Sequence, residues 1–372
     1  MIFIFYISII LTIAYTLLIL FYLIGWIMIK PFEIKDCKEY NSFTILIPVR
    51  NEENAIVKCL NDIMHQNYPE NKFEIIVIND HSTDATTLVV EKFQKQYSLF
   101  NIQLVQMNND ASQRKLKKAA ISYGISFAKN EYIILTDADC ERGKEWLSTI
   151  NNFVIQTKAK MIYAPVEFNA ATLFEKIQAM EFAALVGIGA AAIRLKNPNM
   201  CSAANLVFEK SVFNEVEGYK GYDGLASGDD EFLMHKVFKK YPGKVHFLRN
   251  IKAVVYTSAN KTLTELADQR RRWVSKSMKY ENRYITAILA GAYLFNVSIV
   301  LNLFIDFKFG LIQLCVKTFV ELIFIYSVLN FFKQKKYILL LPLAEVFHII
   351  YVIIIGIRAN IGTYIWKGRK VK

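Results

Sequence analysis

The apolar residues of this chain are concentrated in long runs toward its two ends and in short runs between them. Residues 1–29 contain no charged side chain, and residues 284–305 contain none either. Each run exceeds the ~20 residues that an α-helix needs to cross a bilayer. A signal peptide is the alternative for 1–29, but the run has no charged start and no small-residue cleavage site. The pattern therefore predicts a transmembrane anchor over 1–29.

A membrane region of two or three segments is predicted over 284–358. The stretches 309–332 and 337–357 are also apolar, but charged and polar residues interrupt both of them. The interrupting residues are Lys317, Glu321, Pro342, Glu345 and His348. Pro342 and Glu345 leave a re-entrant hairpin as an alternative to a full span. A basic tail over 359–372 follows.

The central region, about 40–283, alternates short β-rich runs with helical periodicity. Mainly apolar runs that end in polar residues are typical of strands buried on both faces. Such runs occur at 42–49, 73–80, 101–107 and 131–139, with helical patterns at 52–66 and 112–128. This alternation predicts an α/β domain with a mixed, mostly parallel sheet.

Polar residues follow these strands at the sheet edge where ligands bind in open α/β sheets. They are Arg50, Asn51, Glu52, Asn79, Asp80, Asp84, Asp137 and Asp139. Asp137 and Asp139 are separated by one residue, so their side chains point to the same side of an extended chain. Such a pair suits a hard divalent cation, Mg²⁺ or Mn²⁺, that also binds diphosphate oxygens and water. An exposed acidic turn is the alternative.

Positive charge flanks the central region on both sides. The formal net charge is +12, and basic residues follow the first apolar run and precede the second. By the positive-inside rule, the central region is cytosolic. Because the basic residues belong to these flanks, a nucleic-acid partner is not expected. The five cysteines lack any C-x-x-C pairing, which suits free thiols in a reducing compartment.

Three ordered blocks carry a resemblance to a known enzyme family. They are IPVRNEE at 47–53, VINDHSTD at 77–84 and TDADC at 136–140. Together they resemble the inverting, membrane-bound glycosyltransferases of family 2, which have the GT-A fold and include cellulose synthase and poly-N-acetylglucosamine synthase. The resemblance implies that Glu52 and Asp80 hold the base and ribose of a nucleotide-sugar. It also implies that Asp137 and Asp139 bind Mn²⁺ or Mg²⁺ at the donor diphosphate. Asn79 stands where the family has an acidic residue.

Two further segments are similar to blocks of the same family. RKLKKAAISYG at 114–124 has Lys117 at the position of a lysine that contacts the donor phosphate, and a solvated helix face is the alternative. SGDDEFL at 227–233 lies where the family has an acidic pair. There the resemblance implies that Asp230 is the general base and that Asp229 contacts the acceptor. Without the family, these acids are simply favourable in the first turn of a helix.

A Thr-x-x-Glu capping box that begins at residue 262 predicts a helix over 264–280. On this helix Gln269, Arg272 and Trp273 share one face. The run QRRRW looks like the Q-x-x-R-W motif of polysaccharide synthases. The resemblance implies an acceptor contact for Gln269 and Trp273 and a diphosphate contact for Arg272. The alternative is a basic run that touches anionic lipid, a role that suits the first two arginines.

The stretch 170–195 is rich in alanine and glycine. It suits an interfacial helix along which an acceptor lipid approaches, and a buried helix of the same domain is the alternative. Farther along the chain, the resemblance places Asn205 on the acceptor side.

These observations together predict an inverting, metal-dependent glycosyltransferase of the plasma membrane, multi-pass, with a cytosolic catalytic domain. We expect a UDP-hexose or UDP-N-acetylhexosamine donor and a lipid or lipid-linked acceptor, because few spans are available to line a polymer channel. A processive polysaccharide synthase is one alternative. A catalytically inactive membrane scaffold of the same fold is another, and the intact Asp137, Asp139 and Asp230 argue against it.

Overall fold

Two compact units make up the described part of the chain. The computed structural model describes residues 2–36, 38–107, 117–222, 227–276, 279–280, 282–358, 364–366 and 369–371. The sheet unit comprises Ile29–Asn169 and Ala192–Ser258, and the helical unit comprises Met1–Met28, Ala170–Ala191 and Ala259–Lys372. The predicted domain over 40–283 is therefore divided between the two units.

A mixed sheet forms the core of the sheet unit. The strands of this unit are β1 (Phe43–Val49), β2 (Phe73–Asn79), β3 (Ile102–Gln106), β4 (Tyr132–Leu135), β5 (Glu141–Arg142), β6 (Met161–Tyr163), β7 (Val166–Asn169), β8 (Leu206–Glu209), β9 (Val245–Phe247) and β10 (Val255–Ser258). The large sheet has the order β3-β2-β1-β4-β8-β6-β9, in which β8 alone is antiparallel to its neighbours. A small sheet has the order β5-β10-β7. The four predicted strands are confirmed as β1 to β4, but β4 ends at Leu135, so Asp137 and Asp139 lie after the strand and not on it.

Strand pairing aligns the carboxyl ends of the central strands. Val49 pairs with Asn79 at the ends of β1 and β2, and Leu46 pairs with Leu135 at the end of β4. Residues in the middle of these strands, such as Ile45, have no solvent exposure. The pairing therefore brings the polar residues that follow these strands to one edge of the sheet.

The helices are α1 (Ile2–Ile27), α2 (Ile56–Met64), α3 (Thr86–Gln96), α4 (Lys117–Phe127), α5 (Trp146–Thr157), α6 (Leu173–Arg194), α7 (Lys210–Glu215), α8 (Asp229–Lys240), α9 (Leu263–Val274), α10 (Arg283–Ile305), α11 (Phe307–Phe331) and α12 (Leu341–Arg358). A hairpin, β11 (Tyr364–Trp366) and β12 (Arg369–Val371), follows α12. The predicted helix at 52–66 begins later, as α2, because the preceding residues bond to the loop after β2. Of the predicted helix at 112–128, residues 112–116 lie outside the described residues.

Five helical segments are long and apolar enough to cross a membrane, namely α1, α6, α10, α11 and Lys335–Arg358, among the residues that the structure describes. The re-entrant hairpin that was one alternative near Pro342 does not occur, because α12 is one uninterrupted helix. Pro342 lies in its first turn, where a missing N–H breaks no helical hydrogen bond. The third C-terminal segment is therefore a helix with the length of a span.

Three buried charged residues of α11 and α12 are paired with one another. Lys317 on α11 has no solvent exposure and lies 2.7 Å from Glu321. It also donates to Glu345 of α12, and Tyr15 of α1 donates to Glu321. Charges at membrane depth are tolerated when they pair within the protein. These contacts explain how charged residues are accommodated in 309–332 and 337–357, the two apolar stretches that they interrupt.

Helix α6 is mainly buried, as one of the two sequence alternatives predicted, but most of it belongs to the helical unit and not to the sheet unit. At Gly187 a Cβ atom would lie 2.5 Å from a side-chain carbon of Val328 on α11. That distance is closer than a side chain tolerates, so glycine permits α6 and α11 to approach each other. The alanine and glycine content of this stretch thus reflects helix packing.

Candidate active site

Arg50 joins the loops that follow β1 and β2. Its Nη1 donates to the main-chain oxygen of Asp80 at 2.8 Å and to that of His81 at 2.9 Å. Asp80 is 3% exposed, and its Oδ1 lies 3.0 Å from His81 Nδ1. Asn51 and His81 have φ values of 55° and 57°. Non-glycine residues seldom adopt this region, and such strain is concentrated at functional sites.

Glu53 and Asp84 lock the same two loops together. Glu53 N donates to Asp84 Oδ2 at 3.2 Å, and Ala85 N donates to Glu53 Oε2 at 2.8 Å. Burial opposes ionisation of Asp84, but hydrogen bonds from Thr86 outweigh it and hold the pKa of Asp84 below its ordinary value. Glu52 N donates to Thr86 Oγ1 at 2.8 Å, which fixes the backbone of this predicted donor-binding residue.

Asn79 shows why the second block departs from the family pattern. Its Nδ2 donates to Thr87 Oγ1 at 2.9 Å and to Gln106 Oε1 at 2.7 Å. Its Oδ1 accepts from Ser82 N at 3.0 Å. An ionised carboxylate could not donate the first two bonds. The departure is therefore structural: an amide at this position holds the loop to two neighbouring elements.

Lys117 brings the third block and the acidic pair together. Its Nζ lies 2.6 Å from Asp137 Oδ1 and 3.7 Å from Asp229 Oδ2. Burial by itself lowers the pKa of Lys117, but Asp137 and Asp229 raise it above its ordinary value. The ammonium group is therefore charged at physiological pH. Three residues predicted from separate sequence blocks are neighbours in the structure.

Asp137 and Asp139 follow the end of β4, and Asp137 is paired with Lys117. The Asp137 side chain is 35% exposed, and Asp139 Oδ2 accepts from Thr257 Oγ1 of β10 at 2.8 Å. Among the described residues, no three His, Cys, Asp or Glu side chains form a complete metal site. Mg²⁺ is often bound through one or two carboxylates and substrate phosphates, without a protein cage. The pair therefore fits a cation that binds together with a diphosphate.

Asp230 lies in the first turn of α8, next to Asp229. Gly228, with φ of 84°, precedes the helix in a conformation that favours glycine. Asp230 Oδ2 accepts from Ala203 N at 3.1 Å, and Oδ1 accepts from Glu231 N at 2.8 Å. The acids are thus at a helix N-terminus, as one alternative predicted. The contact with Lys117 also places this turn beside the Asp137 block.

Lys118 and Arg142 are two buried cations that the sequence did not single out. Lys118 donates to the main-chain oxygens of Tyr222 at 3.1 Å and Ser227 at 2.7 Å, and so ties both sides of 223–226 to α4. Arg142 is 7% exposed and donates to the main-chain oxygen of Cys140 at 2.9 Å. Its Nε is buried and has no hydrogen-bond partner among the described residues. The sequence offered a clue only for Lys118, because it directly follows Lys117. No sequence pattern pointed to Arg142.

Asn205 does not have the acceptor-facing position that the resemblance implied. It has no solvent exposure, and its Oδ1 accepts from Trp146 Nε1 at 3.1 Å. Its Nδ2 donates to the main-chain oxygens of Pro165 and Ala253, both at 2.8 Å. Because both amide hydrogens are bonded and the side chain is buried, Asn205 has a structural role in this geometry.

The QRRRW run lies on α9 in the helical unit, and the predicted capping box is present between Thr262 and Glu265. Arg270, expected at the lipid surface, is instead 4% exposed and bonded to Glu181 of α6 at 2.8 Å. The prediction that this arginine contacts lipid is wrong. The side chain is buried, and Glu181 supplies the carboxylate partner that a buried guanidinium requires. The Arg270 guanidinium also lies 4.3 Å from the centre of the Trp273 ring.

Two models of known protein families match this chain. The model of "Glycosyl transferase family 2" matches residues 44–217. The model of "Glycosyl transferase family group 2" matches residues 132–360. The second match covers more than half of the chain and includes the acidic pair, the QRRRW run and the C-terminal helices.

Curated relatives match smaller parts of the chain. Glycosyltransferase AglE of Haloferax volcanii is 26% identical over 190 residues, which are 50% of this chain and 58% of that protein. The poly-beta-1,6-N-acetyl-D-glucosamine synthase of Staphylococcus epidermidis is 26% identical over 185 residues, 49% of this chain and 42% of that protein. A Methanococcus voltae dolichyl N-acetyl-alpha-D-glucosaminyl phosphate 3-beta-D-2,3-diacetamido-2,3-dideoxy-beta-D-glucuronosyltransferase is 30% identical over 107 residues, 29% of this chain and 32% of that protein. The chain spans less than two thirds of the length of each relative.

A solved structure is similar over nearly the whole chain. The mannosyltransferase PcManGT of Pyrobaculum calidifontis, in complex with GDP-Man and Mn²⁺, aligns with a TM-score of 0.63 and 17% identity. The alignment covers 93% of this chain and 99% of that one. At this identity the likeness shows the fold, and it confirms the predicted GT-A architecture.

Proposed function

Because this chain belongs to glycosyl transferase family 2, we propose that it is an inverting enzyme that transfers a hexose or N-acetylhexosamine from a UDP-sugar to a lipid or lipid-linked acceptor at the membrane. The observation that carries this proposal is the grouping of Lys117 with Asp137 and Asp229 at the sheet edge. A fixed positive charge beside carboxylates suits the joint binding of a diphosphate and a cation.

The donor is held along the carboxyl edge of the sheet. Glu52 and Asp80 contact the base and ribose, from loops that Arg50 and Asp84 hold in place. Lys117 contacts the diphosphate. Asp137 and Asp139 would hold Mn²⁺ or Mg²⁺, which when bound stabilises negative charge on the leaving diphosphate. The Mn²⁺ in the complex of the Pyrobaculum mannosyltransferase supports this choice of cofactor.

The acceptor hydroxyl is activated by Asp230. As that oxygen attacks the anomeric carbon, Asp230 takes its proton, and the bond from the anomeric carbon to the diphosphate oxygen breaks on the opposite side. The product therefore has the inverted configuration. Asp229, Gln269 and Trp273 contact the acceptor. Arg272 pairs with the diphosphate, because a guanidinium donates to phosphate in a bidentate manner.

A lipid acceptor is favoured over a growing polymer. Five helical segments of the described residues have the length and composition of spans, and α6 is largely buried inside the protein, which leaves little surface for a polymer channel. The Methanococcus relative, whose name includes a dolichyl phosphate, supports a lipid-linked acceptor. The Staphylococcus relative is a polymer synthase, so a processive synthase is the second candidate. We place the protein in the plasma membrane, multi-pass, with its sheet unit in the cytosol because basic residues flank that unit.

Transfer assays on the full chain in lipid nanodiscs test this proposal. The nanodiscs are supplied with a bacterial or archaeal lipid extract and with labelled UDP-glucose, UDP-N-acetylglucosamine or GDP-mannose, with and without Mn²⁺. We expect a UDP-sugar and Mn²⁺ to give one labelled glycolipid. A ladder of polymer would establish the processive alternative, transfer only from GDP-mannose would refute the UDP donor, and no transfer from any donor would refute the activity.

A further inference from the structure

The side-chain oxygen of Gln269 already accepts two hydrogen bonds. Asn260 Nδ2 donates to Oε1 at 2.9 Å, and Arg270 Nη1 donates to the same oxygen at 2.5 Å. An amide oxygen has two lone pairs, so both are used. The amide NH₂ of Gln269 has no partner among the described residues. The side chain can therefore offer a ligand hydrogen-bond donors but no acceptor.

The orientation of this amide is determined chemically. Arg270 can only donate hydrogen bonds, so the atom of Gln269 that faces it must be the oxygen. Asn260 is held in turn by Gln178 of α6, whose Nε2 donates to Asn260 O at 2.8 Å and whose Oε1 accepts from Asn260 N at 3.1 Å. A flipped amide would place an NH₂ group against the Arg270 guanidinium.

Arg270 is itself held by two of the apolar helices, α6 and α12. Its Nη2 donates to Glu181 Oε2 at 2.8 Å, and its Nε donates to Glu181 Oε1 at 3.3 Å, which is the paired geometry of a guanidinium and a carboxylate. Tyr351 of α12 donates to the same carboxylate through its hydroxyl. A continuous series of bonds thus leads from α12 through α6 to Gln269.

We propose that Glu181 and Tyr351 are positioning residues, which hold Arg270 so that Gln269 donates its NH₂ hydrogens to an oxygen of the acceptor. This inference rests on the proposed function, because it assigns the acceptor contact of Gln269. It adds that two residues of the apolar helices set the geometry of the QRRRW run. It also fixes the polarity of the contact: the acceptor supplies a lone pair and Gln269 supplies the hydrogen.

The test compares variants of the full chain in nanodiscs, with KM measured separately for donor and acceptor. Tyr351→Phe removes one hydroxyl and is expected to lower kcat/KM for the acceptor about tenfold, within the range that small misplacements cost, with the KM for the donor unchanged. Tyr326→Phe, at a 45% exposed position of α11, is the matched control and is expected to keep wild-type kinetics. Gln269→Glu retains the two accepted bonds but has no NH₂, so it is expected to lose as much activity as Gln269→Ala.

A double-mutant cycle separates positioning from a general structural effect. The rate of the Gln269→Ala variant is measured in long incubations with labelled donor. Adding Tyr351→Phe to this variant is expected to lower the transfer rate less than about twofold, because the effects of coupled residues are not additive. Wild-type activity in Tyr351→Phe or in Gln269→Glu would overturn the inference. The inference would also be overturned if Tyr351→Phe lowered activity as much in the Gln269→Ala background as in the wild type, or if its loss of activity followed a fall in Tm. An inactive wild-type protein would instead refute the proposed function.

Discussion

Lys117 and Asp137 form an ion pair at the carboxyl edge of the sheet, with 2.6 Å between Nζ and Oδ1. The pair joins the start of α4 to the residues that follow β4. Asp229, at 3.7 Å, adds a second carboxylate to the same ammonium group. The pair neutralises part of the acidic cluster when no diphosphate is bound, and it leaves Lys117 charged for contact with one.

Replacing Lys117 is expected to weaken donor binding. Lys117→Met removes a charged hydrogen-bond donor, so the affinity for UDP in the presence of Mn²⁺ should fall by about 1.5–3 kcal/mol, roughly tenfold to a hundredfold. Isothermal titration with UDP measures the change, and Lys92→Met, at an exposed position of α3, is the control. Unchanged UDP affinity in Lys117→Met would contradict the diphosphate contact.

Replacing Asp230 is expected to abolish transfer while the fold persists. Asp230→Asn keeps an oxygen that can accept from Ala203 N, but it cannot take a proton, so kcat should fall by about 10²–10⁴-fold. UDP affinity and Tm should stay near wild type, as in the exposed control Asp36→Asn. Turnover in Asp230→Asn at the wild-type rate would show that another group is the base.

Glu167 is expected to make the stability of the sheet unit depend on pH. It lies on β7 with no exposure, and its Oε2 has no hydrogen-bond partner in the part of the chain that the structure describes. Burial raises its pKa from 4.5 to about 8. Between these values the folded state binds more protons than the unfolded state. The free energy of unfolding therefore falls as pH rises through this window, by up to roughly 1.4 kcal/mol per pH unit.

Glu167→Gln isolates that effect, because a neutral amide replaces the protonated acid. Thermal unfolding between about pH 5 and pH 8 should show the wild-type Tm falling relative to Glu167→Gln. The exposed control Glu91→Gln should follow the wild type. Parallel curves for wild type and Glu167→Gln would mean that Glu167 is not protonated in the folded protein at neutral pH.

The Lys317 cluster is expected to stabilise the helical unit. Lys317→Met leaves Glu321 and Glu345 buried without their cation, and breaking a buried pair in this way typically costs about 3–5 kcal/mol. The Tm in detergent should fall clearly, and Glu345→Gln in the same chain should restore much of it by removing one carboxylate. A Lys317→Met variant as stable as wild type would show that the cluster does not hold these helices together.

The sequence by itself determined four strands of the large sheet, β1 to β4, and the polar residues that follow them. Short apolar runs are local patterns that identify strands. Because the carboxyl ends of parallel strands lie at one edge of a sheet, the position of that edge can be predicted without knowledge of distant contacts. For this reason the β1, β2 and β4 ends, the Asp137 pair and the capping box at Thr262 were all predictable. The long apolar runs at the two ends of the chain were predictable for the same reason.

Only the tertiary structure decided which polar groups are paired inside the fold. Arg270 lies in a basic run, yet its partner Glu181 is 89 positions away in the chain. The family resemblance predicted an acceptor contact for Asn205. In the structure its three hydrogen-bond partners lie on other segments of the sheet unit. Burial and hydrogen bonding depend on residues that the chain brings together only on folding, so local patterns identify a charged or polar side chain but not its partner.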